Sequence, residues 1–118
     1  MELWLTMKEN PNYEISNKGR VRNKKTKRIL KTTINNKGYE RFIIYEEKSK
    51  PKMYYIHRVV ANNYIDNKKN YNQVNHINEN KRDNNVSNLE WCDNWYNSHY
   101  GTRLGRIWET KKAKGIYK

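Results

Sequence analysis

The run from Val74 to Asn97, VNHINENKRDNNVSNLEWCDNWYN, constrains the fold of this chain more than any other segment. Two short stretches that suit strands, one ending at His76 and one over residues 89–92, flank a polar loop over residues 78–87. That pattern predicts an antiparallel hairpin followed by a helix starting near Asp93, whose carboxylate suits the N-cap position. Leu89 and Trp91 alternate with Glu90, which seats one face of the second strand on that helix. His76 is bracketed by Asn75 and Asn78, Asn88 follows twelve positions on, and Asn97 nine beyond that, about one turn into the helix. This layout lets a general base, a loop-fixing hydrogen bonder and an oxygen ligand for a hard metal ion converge.

Upstream, Ile56, Val59, Val60, Tyr64 and Ile65 recur at three and four residues, predicting one short helix over residues 56–65 packed behind the hairpin. His57 at its start reads either as a satisfied structural group or as a contact to substrate or metal. The N-terminal third reads as short strands, with reversals at residues 17–19 and 36–38 and a hairpin pairing residues 20–22 with 28–31. Residues 39–45 and 53–56 are rich in aromatic and β-branched side chains and suit a second antiparallel pair, joined by a loop over residues 46–52. The expected architecture is α+β: a small N-terminal antiparallel β-rich region followed by a ββα-metal motif. The expected divisions are residues 1–52, 53–102 and a basic tail or partial helix over 103–118.

Composition points toward a polyanionic partner. There are 25 Lys+Arg against 12 Asp+Glu, a formal charge of +13 on 118 residues, enough to attract and steer nucleic acid. A β-ribbon carrying Arg20, Arg22, Lys24, Lys25, Lys27 and Arg28 suits phosphate contact along a groove, with Arg58, Lys81, Arg82 and Arg103 as further candidates. The competing reading of the ribbon is a set of edge charges that discourage aggregation. Hydrophobic residues are only 35%, so the core is small, and the 4 Trp and 10 Tyr must supply much of the burial. A single cysteine, Cys92, excludes an intramolecular disulfide and a paired-cysteine zinc site and suits a cytoplasmic chain. No apolar run approaches the ~18 residues of a membrane helix, and MELWLTMKEN lacks a signal-peptide core.

The HR pair at His57 and Arg58, the VNHI-x-x-NK-x-x-N core beginning at Val74, the NLEWC run beginning at Asn88, and YN at Tyr96 and Asn97 resemble a phage-type HNH homing endonuclease. The similarity is to the subgroup whose last motif residue is Asn. Trp4 with NYEISNKGRVRN from Asn12 resembles the short DNA-contacting module that often precedes such domains, so the likeness spans roughly residues 4–105. The resemblance implies a metal-dependent DNA endonuclease that nicks one strand of double-stranded DNA, with a monomer expected rather than a dimer. It implies His76 as general base, Asn88 fixing the loop, and Asn75 and Asn97 as ligands of one divalent ion, Mg²⁺ or Mn²⁺. His99 is the rival for the last ligand. Relatives often carry Asp where Asn75 stands, which implies weaker metal affinity here; Asp83, Glu90 and Asp93 are alternative carboxylates, ranked behind Asn75. Two other readings stay open: a catalytically weakened or inactive HNH-derived DNA-binding protein acting by occupancy, and an RNA-binding module stacking bases on its tyrosines.

Overall fold

In the computed structural model of the chain, residues 1–47 and 50–93 are described. Strands β1 (Trp4–Thr6), β2 (Tyr13–Ser16) and β3 (Val21–Asn23) form an antiparallel sheet in that order. The β2–β3 reversal is built by Ser16, whose Oγ accepts from the backbone N–H groups of Lys18 and Arg20, and by Gly19 at φ 85°, a left-handed conformation that favours glycine. The next reversal is set by Asn23, whose Oδ1 accepts from the N–H groups of Lys25 and Thr26. The pairing expected between residues 20–22 and 28–31 forms on the edge of β3 away from β2: Arg22 bridges Ile29, Asn23 N–H donates to the Arg28 carbonyl and Leu30 N–H to the Val21 carbonyl, both at 2.9 Å.

A second antiparallel sheet joins β4 (Thr33–Ile34), β5 (Glu40–Glu47) and β6 (Lys50–Tyr55). Period-two alternation is clear in β5, where Phe42 and Ile44 are buried while Ile43 and Tyr45 are exposed. The loop expected over residues 46–52 is shorter than that. Lys52 pairs with Ile44, Pro51 with Tyr45 and Lys50 with Glu47, so strand pairing runs into the polar stretch. The division expected after residue 52 therefore falls inside β6.

Helix α1 (Ile56–Tyr64) buries Ile56, Val59, Val60 and Ala61 at the predicted spacing. These residues join Met7, Ile15, Val21, Phe42, Ile44, Tyr54, Val74 and Leu89 in one core that takes side chains from all three sheets. The Tyr64 hydroxyl pins the helix to the first sheet by donating to the Ile15 carbonyl at 2.8 Å. The third sheet is the hairpin of β7 (Gln73–His76) and β8 (Leu89–Cys92), with Asn75 opposite Glu90 and His76 opposite Leu89. A 3₁₀ turn at Val86–Asn88 leads into β8. Val86 N–H donates to the Asn17 carbonyl at 2.8 Å, tying the hairpin loop to the β2–β3 reversal. The helix expected after Asp93 lies outside the described residues, as does the tail from residue 103. Among the described residues, no helix is long and apolar enough to cross a membrane.

Candidate active site

His76 closes β7 and is buried, and its Nε2 lies 2.8 Å from Asn84 Oδ1. The other end of the Asn84 amide settles which ring nitrogen holds the proton. Asn84 Nδ2 donates to Glu40 Oε1 at 3.1 Å, while Thr32 Oγ1 donates to Glu40 Oε2 at 2.6 Å. An ionised carboxylate only accepts, so Glu40 holds the NH₂ of Asn84 and leaves Oδ1 facing the imidazole. His76 Nε2 is then the donor, and Nδ1 of the neutral ring carries a lone pair. Burial lowers the pKa of His76 below its ordinary value, opposed by the Asn84 bond and by Asp83 and reinforced by Lys81. The ring is neutral at neutral pH.

Aromatic rings wall the histidine. His57 lies 5.1 Å from His76 between ring centroids, Tyr39 stacks on His57 at 5.0 Å, and Tyr39 lies 6.1 Å from His76. Lys81 Nζ sits 4.7 Å from the centre of the Tyr39 ring and donates to the Lys37 carbonyl at 2.8 Å. Burial, then the nearby His76 and Arg58, pushes the His57 imidazole down to about 3. Its buried Nδ1 has no hydrogen-bond partner among the described residues.

Asn88 acts on the loop and makes no bond to the His76 ring in the set it forms. Its Oδ1 accepts from Asn78 N–H at 2.9 Å, and its Nδ2 donates to Asn78 Oδ1 and to the Asp83 carbonyl, both at 2.9 Å. Asp83 in turn accepts from Asn78 Nδ2 and Asn85 Nδ2. Gly19 from the first sheet presses on this loop so closely that a Cβ there would lie 2.7 Å from Asn84 Cβ.

Asn75, also buried, donates through Nδ2 to Glu90 Oε2 at 2.9 Å. The carboxylate occupies the NH₂ end, so Oδ1 is the end the amide offers to a cation. Carboxamide and carboxylate oxygens are suitable donors for Mg²⁺ or Mn²⁺. Among the described residues, no group of three or more His, Cys, Asp or Glu is placed to hold a metal ion. Asn97 and His99 lie outside the described residues.

The basic candidates divide into two sets. Arg20 is engaged by Glu2, and Arg22 by Glu14 at 2.7 Å with its guanidinium 3.9 Å from the centre of the Trp4 ring. Those bonds hold Glu2 and Glu14 below the usual carboxylate range. Lys27 reaches Glu14 at 3.2 Å, and Lys24 donates to Thr6 Oγ1 at 3.0 Å. Lys25, Arg28, Arg58 and Arg82 are exposed, and Arg103 lies outside the described residues. Sequence reasoning had Asn84 only as the last asparagine of the motif core, with no role at the site, and missed Glu40 and Thr32. The asparagine-rich loop pointed toward Asn84, but no local pattern marks Glu40, which lies 44 positions away.

A family model, the NUMOD4 motif, matches residues 2–45. A protein of Acanthamoeba polyphaga mimivirus named uncharacterized HNH endonuclease L245 is 40% identical over 112 residues, which cover 93% of this chain and 33% of that protein. A second, uncharacterized HNH endonuclease L247, is 39% identical over 83 residues, 70% of this chain and 21% of its own length. The chain thus spans a third or less of these giant-virus relatives. A solved structure titled DNA binding and cleavage by the HNH homing endonuclease I-HmuI matches 98% of this chain and 61% of its own, with a TM-score of 0.69 and 25% identity. Its NUMOD4 stretch, these relatives and the shared fold make the chain similar to HNH homing endonucleases over nearly all of its length.

Proposed function

We propose that this chain is a metal-dependent DNA endonuclease that hydrolyses a phosphodiester bond in double-stranded DNA, nicking one strand as a monomer. It would act in the cytoplasm, that of the host if virally encoded. The observation that carries the reading is the oriented imidazole: Glu40 fixes the Asn84 amide, Asn84 fixes Nε2 as donor, and Nδ1 is left to take a proton from the attacking water. As that proton arrives, the imidazolium keeps Asn84 Oδ1 as an acceptor for its Nε2–H. Asn88 holds the loop that carries Asn84, and Asn75, next to the base in sequence, would offer its oxygen to the ion. Asn75 and Asn97 would hold one Mg²⁺ or Mn²⁺ together with substrate phosphate and water. The bound ion supplies positive charge where negative charge develops on the phosphate oxygens. Lys81, Arg82, Lys25, Arg28, Arg58 and Arg103 would contact phosphates.

The test is relaxation of supercoiled plasmid by the wild type and His76→Ala, each with Mg²⁺, Mn²⁺ or EDTA. Open circles that require metal and His76 are expected, and linear product would replace the nicking monomer with paired action. Salt-sensitive binding of duplex DNA with no cleavage of a diverse DNA pool would overturn the enzyme reading in favour of a protein acting by occupancy. Preference for single-stranded RNA would point to an RNA-binding module.

A further inference from the structure

We infer that Glu90 is a ligand of the divalent cation, bringing from β8 the negative charge that Asn75 does not bring from β7. This rests on the metal-dependent reading above and deepens it. Asn75 and Glu90 face one another across the hairpin, and Glu90 Oε2 lies 2.9 Å from Asn75 Nδ2. The carboxylate therefore sits within one hydrogen bond of the amide whose oxygen is offered to the cation. Neutral amide oxygens alone compete weakly with water for a hard divalent ion, and a carboxylate supplies the missing attraction. Of the other acidic side chains near His76, Asp83 bonds Asn78 and Asn85, and Glu40 bonds Asn84 and Thr32. Glu90 is the one whose carboxylate touches Asn75. A carboxylate has about four acceptor positions, so the Asn75 bond and a cation contact are compatible. An amide on one strand and a carboxylate on the other together present what a single aspartate at position 75 would present alone.

The experiment titrates Mn²⁺ into the full chain without DNA, reading free Mn²⁺ by electron paramagnetic resonance and the bound site by line broadening of assigned backbone amides. Wild type is compared with Glu90→Gln, Asn75→Asp and the double variant carrying both. Glu90→Gln keeps an acceptor for Asn75 Nδ2, so thermal unfolding is expected to stay unchanged while Mn²⁺ affinity falls by at least about tenfold. The double variant is expected to recover most of that loss, because it moves the carboxylate across the hairpin. Broadening is expected at residues 75 and 90 before residues 79 and 83. Wild-type Mn²⁺ affinity in Glu90→Gln would overturn this inference and leave the metal-dependent reading standing. No Mn²⁺ binding by the wild type without DNA would overturn this inference, whereas the metal-dependent reading, in which substrate phosphate completes the site, falls only if plasmid nicking persists in EDTA.

Discussion

An asparagine amide offers a donor at one end and an acceptor at the other, so an asparagine beside a histidine does not by itself say which ring nitrogen is protonated. Here a glutamate behind the amide fixes its orientation, for Asn84 through Glu40, which makes His76 Nε2 the donor, and for Asn75 through Glu90, which holds the NH₂ end of that amide. Asn84→Leu leaves a buried Nε2–H without its acceptor, a cost of ~1–3 kcal/mol in stability. Nicking is expected to fall by about 10- to 100-fold in the same variant, since a misplaced base loses part of a 10²–10⁴-fold contribution. The Asn84 bond raises the His76 pKa, so the acid limb of the pH–rate profile is expected to move to lower pH in Asn84→Leu; a purely structural role would lower the rate without moving the limb. His57 gives a second residue-level prediction. Its folded pKa, about 3, lies below the 6.5 of an unperturbed histidine, so the unfolded chain takes up a proton that the fold refuses. That contribution to stability is complete above about pH 6.5 and is lost as pH falls toward 3, at up to ~1.4 kcal/mol per pH unit for this one group. Urea unfolding at pH 7 and pH 5 checks the sign, and His57→Phe is expected to flatten the dependence. At this scale the sequence revealed the polar loop around His76 but not Glu40, because a bond across 44 positions leaves no periodic trace.

Elements were legible where burial imposes a period. The three-and-four spacing of Ile56, Val59 and Val60 becomes α1, and the polar loop between Val74 and Leu89 becomes the turn of the β7–β8 hairpin. One misreading has a physical cause. Lys50, Pro51 and Lys52 look like loop residues because they are exposed, yet they continue β6 by pairing with β5. The short pairing expected between residues 20–22 and 28–31 does form, on the edge of β3 away from β2. The β2–β3 reversal also carries a prediction. Gly19→Ala strains a left-handed backbone and drives a Cβ to within 2.7 Å of Asn84 Cβ, so a loss of ~1–3 kcal/mol is expected, accompanied by slower nicking. Gly38 has φ 90° but meets only the Lys81 side chain at 3.5 Å. Gly38→Ala is therefore expected to lower the melting temperature while the histidine's orienting bonds persist, a contrast visible in parallel melts and plasmid assays.

For the whole molecule, the count of 25 Lys+Arg overstates the cations open to a polyanion, because Glu2 and Glu14, both already counted in the net +13, engage Arg20, Arg22 and Lys27. Duplex binding measured from low to high salt is expected to give a steep linear plot of log affinity against log salt. Lys25→Ala and Arg82→Ala are each expected to reduce the slope by about 1. Arg22→Ala is expected to act mainly on the melting temperature, since that guanidinium packs on Trp4 and bonds Glu14. The α+β class was readable from strand and helix periods, whereas the single core shared by all three sheets arises only when distant apolar positions meet. Glu40 and Gly19, both within the NUMOD4 stretch, reach the asparagine that bonds His76. Exchange of such a front piece between proteins of this type during evolution would thus carry with it part of what orients the histidine proposed as base, and a chimera would keep that orientation only where its new loop supplied a matching amide.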